Sequence, residues 1–157
     1  MSDYHEIANV LYEYGYRIDA GDFEGVGELL SDACLRADGT PLEVCGADAI
    51  ARHYAATTRL YEDTGTPKTK HVFSNLQLEI DAPSGRAKGR AHYVVFQQTE
   101  ALPLQPIITG HYEHQYEKRD GTWRIVEKKF FVDQPGDLSH HLLFEDLARP
   151  PGPGSDG

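Results

Sequence analysis

The chain has 157 residues, 39% of them hydrophobic and 25% charged, with a formal net charge of −10. That length suits one domain with a sizeable core, and the composition is ordinary for a globular protein. The acidic balance argues against a nucleic-acid partner and against an anionic membrane surface, both of which need a basic face.

The first element is helical by spacing. Ile7, Val10, Leu11, Tyr14 and Ile18 recur on one face, with Glu6, Glu13 and Arg17 off it. Gly21 ends this helix, and Asp22 stands where an N-cap belongs, ahead of Phe23, Val26, Leu29 and Leu30. Two short extended pieces, Ala33–Ala37 and Leu42–Cys45, flank an Asp38-Gly39 hairpin signal. They carry Cys34 and Cys45, which read as buried, reduced thiols of a cytoplasmic protein. A third helix is expected over Ala47–Tyr61, followed by a polar loop to Lys70.

The remainder reads as sheet. Val72–Ile80 alternates, with Val72, Ser74, Leu76, Leu78 and Ile80 on one face. Ala87–Gln98 is a long strand. Ile107–Lys118 and Thr122–Val132 form a hairpin around Arg119-Asp120-Gly121. In this hairpin Tyr112, His114 and Tyr116 share a side, and Trp123, Ile125, Glu127 and Lys129 line the partner strand. A short helix is expected over Leu138–Leu147, ending a single domain of residues 1–147, and residues 148–157 form a Pro/Gly-rich tail. The N-terminus shows no basic or apolar leader pattern. No apolar run reaches the ~18 residues of a membrane helix. A cytoplasmic location without membrane association is therefore expected. Helices followed by antiparallel strands give an α+β class, a curved sheet wrapped on one face by the N-terminal helices, with a conical pocket between them suited to a small apolar molecule.

Three stretches carry a resemblance: Ile18–Phe23, Lys70–Asn75, and the closing hairpin from Gly110 through Tyr116 and Asp120-Gly121 to Trp123-Arg124-Ile125. They resemble the SnoaL-like branch of the nuclear-transport-factor-like superfamily, over roughly residues 4–133. Within it the chain is most similar to the group containing scytalone dehydratase, hexachlorocyclohexane dehydrochlorinase and the bile-acid dehydratase. The resemblance implies a cone-shaped, cystatin-like α+β barrel with a mixed or antiparallel sheet. It also implies an Asp–His dyad that removes a proton beside a leaving group, and it maps the dyad onto Asp19 and His71. The dehydrochlorinase's lysine, five residues before its aspartate, becomes Tyr14 here. The dehydrochlorinase's basic residue after the final Trp motif falls near Lys129. A second histidine of scytalone dehydratase falls near Phe96 and is not matched.

The residue types suit that chemistry. An imidazole takes a proton near neutral pH, and a carboxylate fixes its tautomer and stabilises its charged form. An acid at a helix C-terminus opposes the macrodipole by ~0.3–1 kcal/mol, so Asp19 asks for a reason beyond capping, whereas Asp22 is explained as an N-cap. Tyr14 lies on the inner helix face as a donor to a substrate oxygen. Tyr54, Phe96 and Tyr112 are pocket-wall candidates, and Lys129 is a candidate for stabilising negative charge.

His111 and His114 are three apart in a strand and face opposite sides, which argues against a shared metal. No phosphate loop, Gly-x-Ser-x-Gly or Cys-x-x-Cys occurs, so no metal and no cofactor are expected. The expectation is a dehydratase-like lyase or isomerase acting on a small polycyclic or steroid-like molecule. Two alternatives stay open: a non-catalytic small-molecule binding domain, and a small subunit such as that of a ring-hydroxylating dioxygenase. A homodimer or homotrimer is expected, since a curved sheet commonly buries its open face against a copy.

Overall fold

The computed structural model of the chain describes residues 1–144; the tail, with the last residues of the expected C-terminal helix, lies outside them. Three helices precede or interrupt six strands: α1 (Asp3–Asp19), α2 (Phe23–Leu29), β1 (Cys34–Ala37), β2 (Glu43–Cys45), α3 (Ala47–Thr57), β3 (Thr69–Asp81), β4 (Arg86–Gln97), β5 (Gln105–Arg119) and β6 (Thr122–Pro135). The strands form one sheet in the order β2-β1-β6-β5-β4-β3. All neighbours are antiparallel except β1 and β6, which run parallel. This is the expected α+β layout with a mixed sheet.

Local chemistry sets the boundaries. The Ser2 side chain caps α1 by accepting from the His5 backbone N–H, and Asp22 caps α2 by accepting from the Gly25 N–H. Between them Gly21 has φ of 73°. A Cβ there would also sit 2.7 Å from the Gly65 carbonyl oxygen. Only glycine fits both demands, so the sharp joint after Asp19 is written into the chain. Asp120 and Gly121 both take positive φ and close the β5–β6 hairpin.

The core lies between the helices and the inner face of the sheet. Ile7, Leu11, Tyr14 and Ile18 of α1 pack with Val26, Leu30, Ile50, Tyr93, Tyr112, Tyr116, Trp123 and Ile125. Trp123 also donates its indole N–H to Asp3 (2.9 Å), which ties the start of α1 to the closing hairpin.

Four irregularities in strand register decide which side chains face inward. In β3 a bulge lies between Ser74 and Gln77, with Asn75 at φ of 55°. Before it Thr69, His71 and Phe73 point inward; after it Leu76, Leu78 and Ile80 do. The single alternation expected over Val72–Ile80 is thus broken, and Val72 (47% exposed) lies on the outer face. In β6 one extra residue lies between Ile125, opposite Tyr116, and Glu127, opposite Gln115. Trp123 and Ile125 face inward before it and Lys128 after it, so Lys128 is only 1% exposed.

Two further expectations are corrected. Cys34 and Cys45 stand opposite each other across β1 and β2 and form a disulfide (S–S 2.02 Å) rather than two free thiols. Strand pairing brings the two Cα atoms to 4.1 Å, a separation the sequence spacing does not reveal. Residues 139–144 contain a turn and a single bridge from Leu142 to Thr58 instead of helix. Hydrogen bonds to α3, to the loop after it and to β4 hold this segment in place of an intrahelical ladder. No described helix is long and apolar enough to cross a membrane.

Candidate active site

Asp19 is the last residue of α1, and His71 is the third residue of β3. Their side chains meet between the helix layer and the sheet. His71 Nδ1 lies 2.6 Å from Asp19 Oδ1. The His71 backbone N–H donates to Asp19 Oδ2 (2.8 Å), and the Thr69 hydroxyl donates to Oδ1 (2.8 Å). The carboxylate thus receives three hydrogen bonds from one strand. An ionised carboxylate only accepts, so Nδ1 donates in this contact, which in a neutral ring leaves the lone pair on Nε2. The two side chains are 7% (His71) and 13% (Asp19) exposed, which shields their interaction from water and salt.

Aromatic rings surround the pair. Tyr14, one turn before the end of α1, meets His71 edge-on with ring centroids 6.0 Å apart. Its hydroxyl lies 3.1 Å from that of Tyr54 on α3. Tyr112 meets Tyr14 edge-on and stacks on Tyr93. Phe73 fills the space between His71, Tyr14 and Tyr112. Burial, reinforced by Tyr54 and Tyr112, pushes the Tyr14 phenol well above its ordinary range. Burial likewise raises Tyr54 to about 12 and Tyr112 strongly. All three therefore remain protonated donors near neutral pH.

Lys128, which the spacing of the sequence does not single out, enters this aromatic wall. Its Nζ lies 3.4 Å from the centroid of the Tyr112 ring and 4.0 Å from that of Tyr14. It lies 3.3 Å from His114 Nε2, and the other ring nitrogen of His114 lies 3.0 Å from the Tyr116 hydroxyl. None of the described carboxylates forms an ion pair with Lys128. Burial holds its amine well below the usual lysine range. The two ring faces oppose that shift at ~2 kcal/mol for a desolvated cation–π contact, against a desolvation penalty of several kcal/mol per buried ion. His114 is lowered as well, first by burial and then by Lys128.

Lys129 and Phe96 point the other way. Lys129 pairs across the strands with Arg36 and Glu113 on the outer face and forms an ion pair with Asp38 (2.9 Å). Phe96 stands opposite Lys70, on the face away from His71 and Val95. The extra residue in β6 moves the inward position from 129 to 128, and the alternation of β4 turns Phe96 outward. Asp19, His71, Tyr14, Tyr54 and Tyr112 gather as one cluster. The signal for Lys128 lies in its spacing from Trp123, which makes sense only once the bulge is known.

His141 completes the surroundings. It is 9% exposed and close enough to the pair for His71 and Asp19 both to act on its charge. Burial first, and His71 second, lower its pKa to about 4 against the opposing pull of Asp19. Among the described residues, Cys34, Glu43 and Cys45 lie close enough together to hold an ion, but both sulfurs are committed to the disulfide.

A family model described as a SnoaL-like domain matches residues 1–129. No curated protein sequence matches the chain. Among solved structures, a single-residue variant of Rv3472, a protein of unknown function from Mycobacterium tuberculosis, is 22% identical with a TM-score of 0.71; the match covers 93% of this chain and 82% of that one. An NTF2-like protein with a cystatin-like fold from Novosphingobium aromaticivorans is 22% identical with a TM-score of 0.65, covering 83% and 81%. A protein from the same organism, provisionally named a scytalone dehydratase, is 19% identical with a TM-score of 0.68, covering 97% and 95%. At these identities the structures establish the shared fold.

Proposed function

The chain belongs to the SnoaL-like domain family, and from that premise we propose that it is a cofactor-independent lyase or isomerase of the dehydratase type. Its substrate would be a small, mostly apolar molecule, polycyclic or steroid-like, that carries an acidic C–H beside an oxygen function. One observation carries the reading: the 2.6 Å contact between His71 Nδ1 and Asp19, nearly closed to water, which leaves Nε2 as the basic atom.

The chemistry follows from that contact. Nε2 of His71 takes the substrate proton, and the resulting imidazolium is stabilised by the carboxylate already bonded to its other nitrogen; as the C–O bond breaks, it returns that proton to the departing hydroxyl, which leaves as water. General-base assistance of this kind is worth about 10²–10⁴-fold. Tyr14, kept protonated by burial, donates to the substrate oxygen as charge develops. Lys128 takes the role that sequence alone suggests for Lys129: an amine against the Tyr14 and Tyr112 rings supports the same oxygen side of the reaction. Tyr54 and Tyr112 form the wall that holds an apolar ring system.

The test uses proton exchange, which works whatever the leaving group. A panel of bicyclic and steroidal β-hydroxy ketones is incubated with the protein in D2O. NMR then follows loss of the α-proton signal and appearance of the dehydrated product. Wild-type protein is expected to accelerate exchange for at least one ring system, and His71→Ala to abolish it. Equal exchange by wild type and His71→Ala would end the proposal in favour of a binding domain.

A further inference from the structure

Residues 136–143 cross the end of the sandwich as a strap. Gly136 N–H donates to the Ile107 carbonyl (2.8 Å), Arg59 N–H to the His141 carbonyl (2.8 Å), and Leu143 N–H to the Thr57 carbonyl (3.0 Å). The Tyr61 hydroxyl also donates to the His140 carbonyl. Gln97, only 1% exposed, donates its amide NH2 to the carbonyls of both Pro67 and His140 (3.0 Å each). That pair of acceptors fixes the amide orientation, because only the nitrogen can serve two carbonyls. Leu138 is buried beneath the strap.

Two polar atoms at this end are buried without any partner among the described residues: His141 Nδ1 and Gln97 Oε1. They are joined through His140, whose carbonyl Gln97 holds. Gln97 stands opposite Thr69, the residue that bonds Asp19, two pairs along from His71. Buried polar groups are as a rule satisfied, and an exception asks for an explanation. A hydroxyl group suits either atom, since it accepts from an imidazole N–H and donates to an amide oxygen.

We infer that His141, with Gln97 behind it, is a binding residue for a hydroxyl or enol oxygen of the ligand, placed beside the Asp19–His71 pair by the strap. His141 makes this contact as a neutral imidazole. Its burial and the neighbouring His71 keep it uncharged near neutral pH, so it does not compete with His71 for the proton that Asp19 stabilises. The family match ends at residue 129, so nothing in that match assigns His141. The inference deepens the proposed function and rests on its reading of where the ligand sits.

Binding is the test, so that catalysis is not needed. The probes are 2-naphthol and 2-methylnaphthalene, which differ by a hydroxyl in place of a methyl, measured by calorimetry against the full-length protein. Wild type is expected to favour 2-naphthol by about 5–10-fold, the worth of one neutral hydrogen bond. His141→Ala is expected to erase the preference, and His141→Asn, whose amide reaches the position of Nδ1, to restore most of it. The His141 Nδ1 resonance should also shift on adding 2-naphthol. No preference in wild type, or the same preference in His141→Ala, overturns the inference; so does an Asn variant that behaves as Ala, which would mark the residue as packing alone. Loss of the preference in His141→Ala with no His71-dependent proton exchange would sustain His141 and sink the base assignment. His71-dependent exchange with no hydroxyl preference would do the reverse.

Discussion

Replacing Lys128 with methionine should make the protein more stable and slower at once. The lysine is 1% exposed, forms no ion pair with any described carboxylate, and rests on two aromatic faces and one imidazole nitrogen. Methionine matches the lysine stem as far as Cε while removing the buried amine. Exchange of buried ionic groups for apolar ones of similar volume gains about 1–4 kcal/mol. His114 Nε2 loses its partner, which costs about 1–3 kcal/mol. A net gain of about 1 kcal/mol at pH 7 is expected, or about 2–4 °C in Tm at this chain length.

The pH dependence sharpens the test. The folded-state pKa of Lys128 is depressed. Between that value and the ordinary lysine value near 10.5, the unfolded chain binds one more proton than the native state. Stability of the wild type therefore rises with pH across this window, by up to about 1.4 kcal/mol per unit. Lys128→Met lacks this dependence, so its advantage should shrink as pH rises through that window. Urea titrations at intervals of one pH unit read both effects. Proton exchange on the best β-hydroxy ketone should fall by about 10²-fold, as for loss of one oxyanion donor. A variant less stable than wild type at pH 7, or one whose stability follows the same pH curve, would refute the burial argument.

Other substitutions separate structural from chemical roles. Asp22→Ala should cost about 1 kcal/mol through loss of the α2 cap and leave proton exchange unchanged, in contrast to Asp19; urea midpoints and exchange rates read the two together. Reduction of the Cys34–Cys45 disulfide, which closes a loop with a sequence separation of 11, should lower stability by about 2–3 kcal/mol, measured by urea unfolding with and without reductant. Gly110→Ala would bring a Cβ to 2.0 Å from the Phe131 carbonyl and 2.5 Å from the Tyr93 hydroxyl. It should destabilise by about 1–3 kcal/mol, the cost of overpacking, with Tm as the readout.

Much of this architecture is legible in the sequence because local signals agree. The apolar stripe of α1, the Gly21-Asp22 joint and the Asp120-Gly121 turn each fix a boundary by their own chemistry, without help from distant residues. Asp19 and His71 are legible because each sits at the edge of an element and matches a family pattern. What stays hidden depends on register. One extra residue in β6 exchanges Lys129 for Lys128, and the left-handed Asn75 breaks the alternation of β3. The disulfide depends on which strands pair, and the strap depends on a glutamine 43 residues earlier in the chain. Alternation alone carries no mark of a bulge, so an inward lysine and an outward one look the same until partner strands are aligned.

The central claim is that Asp19 and His71 act as one unit in removing a proton. A double-mutant cycle on α-proton exchange tests it directly, using Asp19→Asn, His71→Gln and the pair together. Groups that work as a unit are far from additive: each single substitution should slow exchange by about 10²–10⁴-fold, and the double variant should be scarcely slower than either. Losses that multiply in the double variant, or an Asp19→Asn protein that exchanges at the wild-type rate, would contradict it.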